Sequence, residues 1–447
     1  MATPARRIAA EVLLRVAQGG AFANLALDAG LRQAGVLEPR EVALATELTY
    51  GTLRWQLQLD RALAAHSDRA LEDLDEPVRV ALRLCAFELL HHEKVPAHAA
   101  VNEAVELAKE LKAGRAAGFV NAVLRRLSET RAPPPPPSRE VDPVGHVAAI
   151  TAHPRWMVER WSRWLGPAEA EKLCAANQQQ APAAVRVARR KATRQQAKEA
   201  LRSSGIESRE GLYSPDALIL AAGAPPALDI EGHEQGLFQA QDEGAQLVSL
   251  YAAPERSARI LDACAAPGGK ACHLAEIAEA GSVLAIDLHA RKANAIAEAA
   301  RRLGLENLKS RAADATLPIP DAGLESFDLV LLDAPCSGLG TLRRHPEVKL
   351  RRTPEDVDRL ARLQETLLAS VQGYVRPGGL LVYAVCTLAP EEGEEQVARF
   401  LEKHPPFRVE RAPPGISAEC LDRDFLRTLP HRTGTDGFFA ARLRRTA

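Results

Sequence analysis

The chain has 447 residues, which at roughly 150 residues per domain predicts about three compact units and excludes a single small module. Hydrophobic residues make up 46% and charged residues 26% of the sequence, a composition that is ordinary for a globular protein and excludes general disorder. The 57 Lys and Arg nearly balance the 58 Asp and Glu, so the net charge does not indicate a class of binding partner. Any surface that binds nucleic acid must therefore be a local basic patch.

The cysteines and the apolar runs predict where the protein resides. The seven cysteines are an odd number scattered over a long chain, unlike the dense, even sets of secreted disulfide scaffolds, and they favour a reducing cytoplasm. No CxxC or HExxH spacing occurs, so we expect no metal site. Glu11 interrupts any apolar core of a signal peptide, and no apolar run approaches the ~18 residues of a membrane span. We expect a soluble cytoplasmic protein that makes no membrane contact and acts as a monomer.

In the first part of the chain, apolar residues recur at helical spacing. The repeats include Ile8, Val12, Val16, Val78, Leu82, Leu89, Val101 and Val105. An all-α bundle is therefore predicted over residues 1–130. The proline run Pro133–Pro137 cannot donate backbone hydrogen bonds and favours polyproline II, which predicts a stiff linker over residues 131–142.

The rest of the chain mixes helical and strand patterns. Residues 143–235 combine helical stretches such as Trp156–Leu165 with strand-like pieces such as Ala184–Ala188, which predicts a small mixed α/β domain. Residues 236–447 alternate short β-rich runs with helical ones, a pattern typical of βαβ units on a parallel sheet, and we expect a final antiparallel strand near Phe438–Leu443. The four β-rich runs are Arg259–Asp262, Ser282–Asp287, Phe327–Asp333 and Leu380–Val385.

A glycine-containing loop follows the first of these strands, where open α/β sheets bind ligands. The loop reads DACAAPGGK and runs from Asp262 to Lys270; it matches neither GxGxxG nor GxxxxGK[ST], so we expect no polyphosphate ligand. Asp287 ends the second strand, where a carboxylate can accept hydrogen bonds from both ribose hydroxyls. S-adenosylmethionine fits this pattern, with its adenine near a polar group such as Asp314 and its methionine moiety over the loop. The alternative is a glycine turn flanked by solvated acids.

Two cysteines also follow strands. Cys336 stands in the sequence DAPCSG after the predicted strand Phe327–Asp333, and Cys386 stands in YAVCT after the predicted strand Leu380–Val385. A lone cysteine near a strand is usually a small buried hydrophobe, but that interpretation fits two adjacent strand ends poorly. Methylation of cytosine at carbon 5 requires a thiolate that adds to carbon 6 and a second basic group that later removes the carbon 5 proton. Two thiols can divide that work.

These motifs resemble those of the bacterial ribosomal RNA small-subunit methyltransferase B group, among the Sun-type RNA cytosine-C5 methyltransferases. In the second half of the chain the likeness rests on DACAAPGGK, on DAPCSGLG, on Arg343–Lys349, and on YAVCT followed by Pro390-Glu-Glu, in the family's order. In the first half, Val101–Lys109 and Gly118–Leu124 are similar to the antitermination factor NusB. The resemblance spans nearly the whole chain and implies a multidomain protein, with an all-α NusB-like bundle followed by an α/β Rossmann-like class I methyltransferase core.

The resemblance also implies roles for individual residues. Cys386 takes the place of the family's nucleophile, Cys336 that of its general-base thiol, and Asp333 joins them in the catalytic group. The implied contacts to S-adenosyl-L-methionine are Cys264, Ala265, Ala266, Pro267, Gly268, Gly269, Lys270, Asp287, Asp314 and Asp333. The implied substrate is a cytosine in small-subunit (16S) rRNA, with the NusB-like bundle as an RNA-binding domain. Thr387 follows the nucleophile where the family usually has Ser.

Contact with RNA requires local basic patches, and the sequence offers two candidates. The first lies between Glu171 and Glu199, a stretch without acidic residues, and comprises Lys172, Arg186, Arg189, Arg190, Lys191, Arg194 and Lys198. The second follows Cys336 and comprises Arg343, Arg344, Lys349, Arg351 and Arg352. Each is a candidate phosphate-binding surface, and the alternative in each case is a solvated charged face.

Two other functions fit parts of the pattern. A DNA cytosine-C5 methyltransferase would use the Pro-Cys thiol of Cys336 as its nucleophile, but the Glu-Asn-Val motif expected of such enzymes is absent from this sequence. A non-catalytic RNA-binding factor of ribosome assembly could retain the fold without the reaction. Transfer of a labelled methyl group to RNA or DNA separates these three possibilities.

Overall fold

The chain forms two compact units, which are described separately. The computed structural model describes residues 2–92, 95–320 and 322–446. The helical unit contains Met1–Gln179 together with a later segment, Leu342–Arg351. The sheet unit contains Gln180–Thr341 together with Arg352–Ala447. The second half of the sequence therefore contributes a segment to the unit that the first half builds.

The regular structure of the helical unit is α-helical. The helices are α1 Pro4–Gly19, α2 Ala23–Ala34, α3 Pro39–Ala64, α4 Glu76–His91, α5 Ala97–Glu110, α6 Ala117–Thr130, α7 Pro143–Ile150, α8 Arg155–Leu165, α9 Pro167–Asn177 and α15 Val348–Arg351. Proline begins α1, α3, α7 and α9, because its fixed φ suits the first turn, where no hydrogen-bond donor is needed. Leu48, Leu59, Leu63 and Leu82 are fully buried in the core. The predicted helical start of the chain is confirmed.

The segment Leu342–Arg351 is anchored by side chains that the sequence predicts to bind RNA. The buried ammonium of Lys349 donates to the carbonyl of Arg54, with 2.7 Å between Nζ and O. Arg351 donates to the carbonyl of Gly20 at 2.8 Å, beside the C-terminal end of α1, where a cation is favoured. The prediction that the second basic cluster is a phosphate-binding surface is therefore wrong for Lys349, because its amino group is buried and binds a backbone carbonyl; for Arg351, which is partly exposed, it stays a prediction.

The first strands of the sheet unit form a small antiparallel sheet in the order β2-β3-β1-β4. Its elements are β1 Ala184–Val187, α10 Arg194–Ser203, β2 Ser208–Glu210, β3 Ala217–Leu220, α11 Glu231–Glu234 and β4 Phe238–Ala240. Helix α10 begins at a capping box, in which Thr193 and Gln196 each bind the other's backbone amide. Val185, Leu201 and Phe238 are buried between this sheet and its helices.

The first predicted basic patch lies mostly on this small sheet and its neighbouring turns, and several of its charges bind groups of the same unit. Arg186 is fully buried, forms an ion pair with Glu276 and donates from Nε to Gln241 at 2.8 Å. Arg189 binds the carboxylate of Asp216 at 2.7 Å. The prediction of a phosphate-binding stripe is wrong for Arg186, because its guanidinium has no access to solvent. A run of charges along a sequence does not reveal partners that are distant in the chain.

The large sheet has the order β11-β12-β13-β9-β8-β5-β6-β7, with β10 beside β13. Its strands are β5 Arg259–Asp262, β6 Ser282–Asp287, β7 Leu308–Ala312, β8 Phe327–Asp333, β9 Val375–Val385, β10 Phe407–Val409, β11 Leu421–Asp422, β12 Phe425–Thr428 and β13 Phe438–Arg445. The accompanying helices are α12 Glu243–Ala252, α13 Gly269–Ile277, α14 Ala290–Leu303, α16 Pro354–Val371, α17 Glu394–Lys403 and α18 Pro430–Thr433.

Strands β5 to β9 pair in parallel, and β13 closes onto β9 in the antiparallel direction, with Ala440 opposite Ala384. The central strands read as continuous apolar runs because both faces of a parallel sheet are covered. Val330, Leu331 and Leu332 in β8 are accordingly all fully buried. The Rossmann-like core and its final antiparallel strand, both predicted from the sequence, are confirmed.

The two units cut across the domain boundaries predicted from the sequence. Helices α7 to α9 lie in the predicted mixed domain of residues 143–235 but belong to the helical unit, and the small sheet begins only at Ala184. The division into a bundle, a linker, a mixed domain and a core stays a prediction. In the part of the chain that the structure describes, we find no helix of the length and apolar character needed to cross a bilayer.

Candidate active site

The parallel order of β6, β5, β8 and β9 brings the predicted site residues to one edge of the large sheet. Asp287 ends β6, and Asp333 ends β8. Cys336 follows β8 by three residues, and Cys386 follows β9 directly. Because carboxyl ends of parallel strands meet at the same edge, a ligand bound there faces all of these side chains.

The loop between β5 and α13 has a backbone that only glycine tolerates at its centre. Gly268 has φ +102°, and a Cβ added there would lie 3.3 Å from the side chain of Ile296. The Gly268 amide donates to the carbonyl of Ala265 at 2.7 Å, and the Ala265 amide donates to Ile286 in β6 at 2.8 Å. The peptide bond before Pro267 is cis. This turn fixes the loop against β6 and starts α13 at the site.

Asp262 ends β5 beneath this loop and is fully buried. Neither carboxylate oxygen makes a hydrogen bond of normal geometry to the described residues. The amide of Cys264 is nevertheless close enough to favour the charged form of the Asp262 carboxyl group. Burial, followed by the negative charge of Asp333, raises the pKa of Asp262 to about 8. A buried carboxyl with so few donors costs stability unless a ligand supplies one, so Asp262 is a candidate ligand contact. No role for Asp262 is predicted from the sequence.

Lys270 and Asp333 form an ion pair beside the thiols, with 2.7 Å between Nζ and Oδ2. Burial acts to lower the pKa of Lys270, but the attraction of Asp333 outweighs it and the net pKa is raised. Negative charge at Cys386 also raises the pKa of Lys270, which shows that the ammonium and the Cys386 thiol interact. The ammonium lies 5.0 Å from the centre of the Phe438 ring, within range of a cation–π interaction.

Asp287 and Asp314 each use one carboxylate oxygen to hold their own turn. Oδ1 of Asp287 accepts from the His289 amide at 3.1 Å. Oδ1 of Asp314 accepts from the amide and hydroxyl of Thr316 at 2.8 and 2.7 Å, and these bonds lower the pKa of Asp314. Among the described residues Oδ2 of each has no hydrogen-bond partner, so it can accept from a ligand.

Cys336 and Cys386 lie side by side, with 3.4 Å between their sulfur atoms. The hydrogen bond with Cys386, and then burial, raises the pKa of Cys336 well above the usual thiol value, so Cys336 favours its protonated form. Cys85, Cys174, Cys272 and Cys420 are buried and behave as small hydrophobes. The pair is partly accessible, as is Cys264 in the cofactor loop.

The backbone that carries Cys336 crosses directly over Cys386. The amide of Gly340 donates to the carbonyl of Cys386 at 3.0 Å, and the Gly437 amide donates to Gly340 at 2.8 Å. A Cβ at Gly340 would lie 2.0 Å from the carbonyl oxygen of Gly437. The motif that contains Gly340 does not by itself predict this requirement, because the close contact comes from Gly437, which is distant in the chain.

Comparison with known proteins identifies the family. Family models match three successive parts of the chain: the NusB family at residues 3–129, an RsmF/B-like ferredoxin-like domain at 153–226, and 16S rRNA methyltransferase RsmB/F at 249–444. The probable ribosomal RNA small subunit methyltransferase B of Bacillus subtilis (strain 168) is 36% identical to this chain, and the alignment covers 99% of both proteins. The chain belongs to the 16S rRNA methyltransferase RsmB/F family. The ribosomal RNA small subunit methyltransferase B of Pseudomonas syringae pv. tomato is also 36% identical to this RsmB/F chain. The alignment covers 98% of this chain and 96% of the relative.

Solved structures agree with this assignment. The crystal structure of PH0851 matches the whole RsmB/F chain with a TM-score of 0.86 at 25% identity, and all of that chain is covered. NSun6 from Pyrococcus horikoshii, solved with SFG, shares the fold over 67% of this chain and 100% of its own, with a TM-score of 0.60 at 23% identity. The predicted family, the NusB-like start and S-adenosylmethionine as the cofactor of the family are confirmed.

The residues of this RsmB/F-family chain fit S-adenosylmethionine. The buried carboxyl of Asp262 makes no well-formed hydrogen bond to the described residues, as expected of a group that meets a donor on a ligand. Gly268 keeps the loop free of a side chain at its closest approach to α14. Asp287 and Asp314 offer acceptor oxygens at the ends of neighbouring strands, which is what a ribose and an adenine amino group require. No group of metal-ligating side chains occurs in residues 2–92, 95–320 and 322–446.

Proposed function

We propose that this chain methylates carbon 5 of a cytosine in 16S rRNA, with Cys386 as the attacking thiol and Cys336 as the base. The observation that carries the proposal is the 3.4 Å between the two sulfur atoms, at the ends of adjacent strands and beside the ion pair of Lys270 with Asp333. Carbon 5 of cytosine is a weak nucleophile, so the reaction needs a thiolate and a base on one substrate ring. Two adjacent, partly accessible thiols supply both.

Bound S-adenosylmethionine supplies an electrophilic methyl group. We assign its site to the loop Cys264–Lys270 and to the carboxyl groups of Asp262, Asp287 and Asp314. The backbone of the loop and Asp262 receive the methionine moiety, Asp287 accepts from the ribose hydroxyls, and Asp314 accepts from the adenine. The carboxylates at the strand ends thus orient the cofactor relative to the two thiols.

Lys270 favours the thiolate of Cys386. A positive charge near a thiol favours its thiolate, and Lys270 lies close enough to Cys386 for a negative charge there to contribute to the raised pKa of Lys270. Asp333 holds the ammonium in place through the 2.7 Å ion pair. We therefore assign Asp333 to the catalytic group as the residue that positions Lys270 beside the attacking sulfur.

The hydrogen bond between the thiols explains how Cys336 becomes a base only after attack. While Cys386 is a thiolate, its hydrogen bond and charge raise the pKa of Cys336 and keep the proton there. When the sulfur of Cys386 bonds to carbon 6, its negative charge moves into the ring, so this effect is lost and Cys336 can release its proton to water. Carbon 5, made nucleophilic by this addition, takes the methyl group, which uses up the negative charge of the ring. The thiolate of Cys336 then takes the proton from carbon 5, the double bond reforms, and Cys386 leaves as a thiolate.

Single substitutions of the thiols test these roles, because one blocks attack and the other blocks release. With RNA and cofactor, Cys336→Ala should accumulate a protein–RNA adduct that resists denaturant on a gel, whereas Cys386→Ala should form none. Cys420→Ala, which removes a thiol from the hydrophobic core, is the matched control and should turn over without a trapped band. An adduct in Cys386→Ala alone would reverse the roles, and no adduct in either variant would contradict the two-thiol scheme.

The choice of substrate has its own test. Transfer of a labelled methyl group to 16S rRNA and to a DNA duplex should label only the RNA, at carbon 5 of cytosine. Label in DNA would favour the DNA-methylating alternative. Label in neither, from folded protein that binds the cofactor, would favour a non-catalytic assembly factor.

A further inference from the structure

A buried carboxylate lies behind the two thiols. Glu392 ends the short 3-10 turn Pro390–Glu392 that follows Cys386, and it is fully buried. Its Oε1 accepts from the amide of Ser337 at 2.8 Å and from Nε2 of Gln364 at 2.9 Å. Its Oε2 accepts from the hydroxyl of Thr387 at 2.8 Å and from the hydroxyl of Ser337. All four donor groups belong to buried residues. This one carboxylate therefore accepts hydrogen bonds from three separate parts of the chain.

Two of these donors stand next to the thiols in the sequence. Ser337 follows Cys336, and Thr387 follows Cys386. Their hydroxyl oxygens lie 2.7 Å apart, and both bind the same carboxylate oxygen of Glu392. The two backbone segments that carry the sulfur atoms are therefore joined through one side chain.

The rest of the network fixes Glu392 itself. Gln364, on α16, also donates to the carbonyl of Pro335 at 3.0 Å, one residue before Cys336. The hydroxyl of Tyr383, on β9, binds the carbonyl of Glu392 at 2.6 Å and Oε1 of Gln364 at 3.0 Å. Side-chain hydrogen bonds thus connect helix α16, strand β9 and the turn that contains Glu392. Among the described residues, no hydrogen bond joins this network to the ion pair of Lys270 with Asp333, whereas several join it to the segments that carry the thiols.

We propose that Glu392 is a positioning residue that sets the separation of Cys336 and Cys386. The proposal rests on the proposed function, in which both thiols act on one cytosine. Without the carboxylate, the Ser337 amide, the Thr387 hydroxyl and the Gln364 amide lose a shared acceptor in a buried place, and the two segments are free to separate. A shift of an ångström between reacting groups is enough to reduce a rate by about a hundredfold.

The test compares Glu392→Ala with Glu392→Gln. Glutamine can keep its oxygen toward the donors on Ser337 and Gln364 and turn its NH2 toward the two hydroxyls, which can accept as well as donate. We therefore expect Gln to preserve the network and Ala to break it. Glu395→Ala, an exposed residue on α17 that pairs with Arg399, is the matched control.

The first measurement reports the separation of the thiols without any substrate. Diamide takes up the two electrons and two protons released when two thiols form a disulfide, and mass spectrometry of peptides measures the rate for the Cys336–Cys386 pair. We expect Glu392→Ala to slow this cross-link by about tenfold or more, and Glu392→Gln and Glu395→Ala to stay near the wild-type rate. A wild-type rate in folded Glu392→Ala would overturn the proposal.

If Glu392→Ala does not fold, Thr387→Val decides the matter. This variant keeps the side-chain shape and removes only the hydroxyl that ties the Cys386 segment to Glu392. We expect the cross-link to slow by about threefold, and an unchanged rate would overturn the proposal.

The second measurement is methyl transfer, which separates this proposal from the proposed function. In folded Glu392→Ala we expect kcat to fall with the cross-linking rate while KM for RNA and cofactor affinity stay unchanged, and we expect Glu392→Gln to restore kcat. A slow cross-link with full kcat would keep the spacing role but contradict the two-thiol reaction. A fall in kcat with normal cross-linking would assign Glu392 to a step other than spacing and overturn the proposal.

Discussion

Asp262 occupies a place where a carboxyl group is costly. It is fully buried at the end of β5 without a well-formed hydrogen bond to the described residues, and burial raises its pKa to about 8. In an unfolded chain the same group has a pKa of about 3.9. Folding therefore becomes less favourable as pH rises from about 4 to about 8, because the unfolded state releases a proton that the folded state keeps.

Asp262→Asn should remove this pH-dependent cost. Without cofactor, the thermal midpoint of the variant should exceed that of the wild type by a margin that grows from about pH 5 to about pH 8 and then levels off. Calorimetry should show weaker cofactor binding, because asparagine keeps only one acceptor oxygen and cannot carry the negative charge that strengthens a hydrogen bond from the ligand. A constant difference in midpoint across this range would contradict the assigned pKa.

Gly340 is a second residue whose identity follows from close contact. A Cβ at this position would lie 2.0 Å from the Gly437 carbonyl and 3.0 Å from the Cys386 carbonyl, so the loop that carries Cys336 would have to move. We expect Gly340→Ala to reduce methyl transfer by about a hundredfold. Gly373→Ala, whose added Cβ would meet Leu324 at an ordinary 3.6 Å, is the control. Full activity in Gly340→Ala would show that the loop can shift without moving the thiol.

At the scale of elements, the charged residues after β1 connect the small sheet to helix α13 of the large one. Arg189 binds Asp216, which also lies 3.2 Å from the ring nitrogen of the buried His273 on α13. Burial acts to raise the pKa of Asp216, but hydrogen bonds from His273 and Arg189 outweigh it and lower the pKa to about 2. The role of Arg189 is thus to complete a structural network.

Arg189→Ala should therefore affect stability more than RNA affinity. The guanidinium is 42% exposed, so solvent screens the pair, and we expect a loss of roughly 1 kcal/mol in the free energy of unfolding. The salt dependence of RNA binding should stay unchanged. Arg209→Ala, at an exposed position on β2, is the control for loss of charge. If the slope of log affinity against log salt concentration instead fell by about 0.7, Arg189 would contact a phosphate, as the sequence predicts.

Elements with local signals could be predicted from the sequence. The buried strands β5, β6 and β8 match their predicted bounds because continuous apolar runs are a local property. The two thiols come together as expected because topology alone brings adjacent strand ends to one edge. The partners of charged residues could not be predicted: Arg186 pairs with a residue 90 positions away, and Lys349 binds a carbonyl 295 positions away.

At the scale of the whole molecule, the helical unit is incomplete without the segment Leu342–Arg351. Leu350 packs against its core, Glu347 accepts from the amide of Ala23 at 3.0 Å at the start of α2, and Lys349 binds the carbonyl of Arg54. The segment begins directly after the loop that carries Cys336. The polypeptide therefore passes from one unit to the other after residues 179, 341 and 351.

Deletion of Met1–Gln179 should leave this segment without its partners. We expect limited proteolysis of the remaining chain to cut within Leu342–Arg351, where the full-length protein resists cleavage. Cofactor affinity should be retained, because Asp262, Asp287 and the glycine loop belong to the sheet unit. Resistance of the segment in the shortened chain would show that it folds without the helices.

The return of Leu342–Arg351 to the helical unit also sets an order for folding during synthesis. A nascent chain emerges with its N-terminus first, and domains usually fold as they appear. Here the helices of residues 1–179 are synthesised well before the segment that completes them, and four of the nine strands that the structure describes in the large sheet, β5 to β8, are synthesised in the interval. These helices, although synthesised before the sheet unit, are therefore completed only after much of that unit has been made.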